Sequence, residues 1–104
     1  LIDVVEVIVT GPAEFMPELV ETLVGERLIA CGQLTPIEST YRWQGRIEHA
    51  TELRAALHTT TDRADAVLRR VSELHPYDVP CILAVPVQGG DRAYLEWVDA
   101  HVDP

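Results

Sequence analysis

The chain has 104 residues, 47% of them apolar, so a single domain over 1–104 is expected, near the length at which folding hides about 60–70% of the extended chain's surface. Seventeen acidic residues face eight basic ones, a formal charge of −9 that repels phosphate backbones and anionic membranes and favours cations. Neither nucleic acid nor a membrane is therefore an expected partner, and no run approaches the ~18 apolar residues of a membrane span.

Residues 1–10 alternate as a strand, with Ile2, Val4 and Ile8 on one side and Val5, Val7 and Val9 on the other, so both faces call for burial. After the break at Gly11-Pro12, apolar residues at helical spacing (Phe15, Leu19, Val20, Leu23, Val24, Leu28) predict a core-facing helix over 13–29. Residues 31–43 are strand-like, and Pro36, which lacks a ladder donor, places them at a sheet edge. Gln44-Gly45 then reads as a tight reversal.

The next strand, 47–60, sets Leu53, Ala55 and Leu57 on a core face and Glu52, Arg54, Ala56 and His58 on a semi-polar one. Thr61 is the expected cap of a second helix, with Ala64, Val67, Leu68, Val71 and Leu74 as its apolar stripe and Pro76 as its end. Residues 81–87 form a short apolar strand. Gly89-Gly90 leads to a last helix from about Asp91, with Tyr94, Trp97, Val98 and His101 on its mixed side. The order is that of an α+β, ferredoxin-like βαββαβ sandwich with an extra C-terminal helix. Its first strand is apolar on both faces, and one short helix covers little, so sister copies are the expected cover and self-assembly is predicted.

No strong catalytic or metal motif is present: there is no His-x-x-x-His pair, P-loop or nucleophile elbow. The absence of lysine excludes Schiff-base chemistry and phosphate capture by that residue. Cys31 and Cys81 are too far apart for a Cys-x-x-Cys pair, which favours a reducing, cytoplasmic setting. No basic start followed by an apolar stretch marks a secretory signal, and an opening Leu1 leaves room for a preceding segment. His75, next to Pro76, suits a helix cap, and buried cysteine is often only a small hydrophobe. Thiol with imidazole is nonetheless a donor set suited to copper or zinc.

Four segments, Thr40–Ile47 (TYRWQGRI), Leu74–Pro80 (LHPYDVP), Glu26–Cys31 (ERLIAC) and Ala93–Val98 (AYLEWV), together resemble the CutA divalent-ion tolerance family across nearly the whole chain. The resemblance implies a non-enzymatic, cytoplasmic homotrimer that responds to divalent metal and binds copper or another divalent cation weakly. Cys31, His58, His75 and Cys81 are the candidate metal ligands. An inter-subunit cleft is expected from Tyr41, Trp43, Glu52, Tyr77, Asp78 and Trp97. Two positions depart from the family pattern: His58 stands where lysine is common, and Cys81 stands where glutamate commonly follows Val-Pro. That pair suggests a softer metal site between subunits. A PII-like trimeric signalling module, holding a small metabolite between subunits, is the alternative. Catalysis by Glu52, His58, Tyr77 and Asp78 is a third reading that nothing in the spacing demands.

Overall fold

The computed structural model describes residues 2–103, so the Leu1 end of the first expected strand lies outside the described residues. Strand β1 (Val4–Gly11) is followed by helix α1 (Met16–Gly25), strands β2 (Cys31–Trp43) and β3 (Arg46–Thr60), helix α2 (Ala64–Leu74), strand β4 (Ile82–Pro86) and helix α3 (Arg92–Ala100). The four strands form one sheet in the order β2-β3-β1-β4, with every pairing antiparallel. This is the expected α+β arrangement, with Pro36 on an edge strand and Cys31 and Cys81 at opposite edges.

Alternation along β1 sends Val5, Val7 and Val9 to the face covered by α1 and α2, where they pack with Leu19, Leu23, Leu57, Val67 and Val71. α1 lies close enough on β2 that a Cβ on Gly32 would meet Val20 Cγ1 at 2.5 Å and Leu57 Cδ2 at 3.1 Å. The opposite face is covered only at one end, by α3 through the buried Val98 and by the turn after it through the buried Val102. Along the rest of that face Leu83 and Val85 remain 56% and 41% exposed. The open apolar face inferred from β1 is therefore real in the single chain.

Two helices differ from expectation at their ends. α1 is shorter than 13–29: it starts at Met16 with Pro17 in its first turn, and stops at Gly25. Arg27 takes φ 58°, and the N–H groups of Arg27 and Leu28 bond back to the Val24 and Leu23 carbonyls, a left-handed C-terminal closure. Leu28 still packs on the core, which is why the apolar spacing runs past the helix end. Thr61 does not cap α2. It opens a 3₁₀ turn, Thr61–Arg63, and its hydroxyl and N–H both donate to the Asp3 carbonyl. Strand pairing at the end of β1 outcompetes a local cap.

The β2–β3 reversal is a two-residue turn with positive φ at Gln44 (49°) and Gly45 (78°), as the hairpin twist requires. Strands of 13 and 15 residues carry it far from the core, and the molecule is 45 Å long but 25 by 21 Å across.

Gly32→Ala is expected to force α1 away from β2 and lower stability by about 1–3 kcal/mol. Urea midpoints measured at one protein concentration check this, and an unchanged midpoint would show that the helix moves freely.

Candidate functional site

Two groups of polar side chains sit on the side of the sheet away from α1 and α2. The first forms a cleft of about 890 Å³ between the β2–β3 hairpin, the end of β1 and the segment joining α2 to β4. Pro76 drives His75 into an extended conformation (φ −67°, ψ 136°) and so ends α2. The His75 ring then staples the following loop to β1. Its Nδ1 accepts from the Tyr77 N–H at 3.1 Å, so Nε2 carries the proton and donates to the Thr10 carbonyl at 2.8 Å. Phe15 and Tyr77 flank the ring at centroid distances of 5.3 and 4.8 Å. A Cβ on Gly11 would lie 2.8 Å from Nε2, so the close approach depends on a glycine there.

The staple aims Tyr77 across the cleft, where its hydroxyl donates to Glu52 Oε2 at 2.8 Å. Glu52 is only 5% exposed, and among the described residues no donor reaches its Oε1. Register puts Glu52 opposite Ile37, so Tyr41 and Trp43, an even number of residues further along β2, share its face. Arg42 lines the cleft from the alternate face of the same strand. Asp78 and Cys81 complete the opposite wall.

Burial pushes the Tyr77 hydroxyl up to about 12, reinforced by the bond to Glu52 and by its charge. The phenol therefore stays a neutral donor at physiological pH.

The second group lies at the other end of β1. Cys31 and Glu6 both stand directly opposite His58 in the register, from its two neighbouring strands, so all three side chains share one face. His58 Nε2 donates to Glu6 Oε1 at 2.9 Å, which leaves Nδ1 to pair with the Tyr94 hydroxyl from α3. Tyr94 is also pushed up to about 12, by burial first and then by the adjacent Cys31 and by Glu6.

Five of the six residues expected in an inter-subunit cleft, Tyr41, Trp43, Glu52, Tyr77 and Asp78, line one cavity of the single chain. Trp97 does not join them. β4 starts beside Thr10 and ends beside Val5, so the chain has crossed to the far end of the sheet before α3 begins. There Trp97 stacks on Tyr94 at 5.7 Å and sits against His101.

The four expected metal ligands do not converge either. Cys31 and His58 are cross-strand neighbours, Cys81 lies beside Thr10, and His75 is 7% exposed with both ring nitrogens engaged. His58 and Cys81 are separated by about four residues of β1, roughly 13 Å, so within one chain they make no pair. Among the described residues, no three His, Cys, Asp or Glu side chains are arranged to hold a metal ion. Sequence reasoning missed Glu6 and Tyr94 as site groups. Glu6 had a signal, as the only charged residue in the apolar run Val4–Val9.

Fold and site together define a small α+β protein with a ferredoxin-like sheet, an acidic aromatic cleft and a thiol–imidazole pair. The family model described as "CutA1 divalent ion tolerance protein" matches residues 5–101, and the chain belongs to that family. The divalent-cation tolerance protein CutA of Thermus thermophilus is 42% identical over 94 residues, covering 88% of this chain and 91% of the relative. A structure described as the periplasmic divalent cation tolerance protein CutA of Archaeoglobus fulgidus superposes with TM-score 0.93 at 32% identity, covering 96% of this chain and 99% of that one. The PII-like protein CutA from Nostoc sp. PCC 7120 superposes with TM-score 0.91 at 25% identity, with 97% of each chain covered. Among the described residues no helix is long and apolar enough to cross a membrane.

Tyr77 and Tyr94 keep their protons in the fold to about pH 12, against an ordinary value near 10, so the fold binds protons more tightly than the unfolded chain. Their contribution is fully present below pH 10 and is lost as pH rises towards 12. Ultraviolet titration of tyrosinate should show two late-ionising groups, and Glu52→Gln should bring the Tyr77 step down towards 10. A Tyr77 step unmoved in that variant would remove Glu52 as a cause.

Proposed function

We propose that the protein is a homotrimeric, non-enzymatic divalent-cation response protein of the cytoplasm, which binds copper or a similar cation at Cys31 and His58. The observation that carries this reading is the cross-strand pairing of that thiol and imidazole on one face, with the Tyr94 hydroxyl bonded to the imidazole. Thiolate and imidazole suit copper and zinc better than they suit hard cations. Glu6 holds the ring through Nε2 and so directs Nδ1 towards the thiol side, the usual role of a carboxylate behind a metal-binding histidine. A cation held there takes the place of the Tyr94 contact, and with only two strong donors from one chain its binding is weak. His75 has no nitrogen to offer, and Cys81 is too far away to contribute from the same chain.

Assembly is supported by the open apolar face around Leu83 and Val85 and by the projecting hairpin. The number three rests on the family resemblance, and both cysteines are free, as suits a reducing compartment. Sedimentation equilibrium at micromolar concentration should return the mass of three chains, and Leu83→Glu should shift it towards one. A folded single chain in the unaltered protein would overturn the assembly.

The second reading, a PII-like module with a small ligand between subunits, is favoured by one observation, the likeness to the PII-like Nostoc structure. The carboxylates of the cleft and the absence of lysine weigh against an anionic metabolite there.

Titration with copper decides the metal locus. Cys31→Ser and His58→Ala should each weaken binding by about tenfold or more, and Cys81→Ser should leave it unchanged. Unchanged affinity in the first two variants would refute the site.

A further inference from the structure

We propose that the cleft beside Glu52 is a binding site for an organic ammonium cation carried on a flat or apolar body. The site is separate from the Cys31–His58 locus and rests on different residues. Its floor is a carboxylate nine-tenths buried, with Oε2 held by Tyr77 and Oε1 without a protein donor among the described residues. A buried carboxylate with a free acceptor oxygen gains most from a partner that brings both a positive charge and an N–H.

The walls supply what the remainder of such a ligand needs. Tyr41, Trp43 and Tyr77 present ring surface around the same space, each more than 40% exposed in the single chain. Aromatic faces attract cations through the ring quadrupole and cover apolar groups equally well. About 890 Å³ is ample for a molecule of that size, whereas a bare metal ion would leave it largely unfilled.

Charge selects the sign of the ligand. Asp78 lines the cleft, and Glu14 stands near enough to act on the Tyr77 hydroxyl. Of the nearby arginines, Arg42 lines the cleft from the alternate face of β2 and offsets one of the two carboxylates there, and Arg54, two residues beyond Glu52, is not part of the lining. Among the described residues neither makes an ion pair with Glu52. The result is a negative, aromatic cavity whose central acceptor is pre-positioned by the His75–Tyr77 staple.

Isothermal titration of the assembled protein with benzylammonium, benzyl alcohol and benzoate tests this directly. Benzylammonium should bind saturably, and benzyl alcohol and benzoate each about tenfold more weakly or not at all. Glu52→Gln, which keeps an acceptor for Tyr77 but removes the charge, should weaken benzylammonium by about tenfold or more. Trp43→Ala should weaken it several-fold, and Cys31→Ser should have no effect on it while weakening copper binding, so the two sites fail independently. Should Glu52→Gln not fold, the comparison of the three ligands on the unaltered protein and on Trp43→Ala stands in its place. Equal binding of alcohol and ammonium, preference for benzoate, full affinity in Glu52→Gln, or no saturable binding because a second copy fills the cleft would each overturn the proposal.

Discussion

The pairing register between β1 and β3 fixes where everything else falls. With Glu6 opposite His58 and Gly11 opposite Leu53, the row Val5, Val7 and Val9 meets Ala55 and Leu57 under the helices, and the intervening residues go to the other side. A slip of one residue would turn the core row outward and bury Glu6 and His58 beneath α1 and α2. Because the core row cannot be exposed without losing most of the hydrophobic stabilisation, the polar residues between its members have no choice of face. Both groups of functional candidates are consequences of that constraint, one at each end of β1.

Their chemistries differ because their surroundings differ. At the β2 edge, a thiol and an imidazole are brought together by strand pairing alone, and a phenol from α3 closes over them. At the other end, β2 and β3 supply one wall, and no regular element supplies the wall facing them. The loop after α2 does so only because Pro76 breaks the helix and His75 fastens the Tyr77 segment to the backbone of β1. Soft donors in the first place and a carboxylate ringed by aromatics in the second make two environments for positive charge with little overlap in what they would hold.

Much of this is legible in the residues. Alternation and helical spacing indicate the element order, Pro36 the edge, Gln44-Gly45 the turn, and the doubly apolar β1 the uncovered face. Tyr41, Trp43, Glu52, Tyr77 and Asp78 stand out in the sequence as cleft residues, and they share a cavity. The failures have physical causes. α1 ends four residues early because a left-handed arginine, not a glycine, closes it, and no spacing rule marks that position. Thr61 serves strand pairing instead of a cap. Trp97 lies outside the cavity of its own chain because β4 carries the chain away from it. His75 stands among the candidate ligands because only three-dimensional packing reveals that Thr10 and Tyr77 occupy both its nitrogens.

The closure at Arg27 reaches further than the helix it ends. Its carbonyl accepts from the Asp103 N–H, and its guanidinium bonds both the Asp103 carboxylate at 2.7 Å and the Ala100 carbonyl. One residue between α1 and β2 thus moors the tail of the chain, and with it the angle at which α3 leans over the sheet. The helical layer and the opposite surface are tied together at this corner by side-chain and backbone hydrogen bonds as well as through the strands.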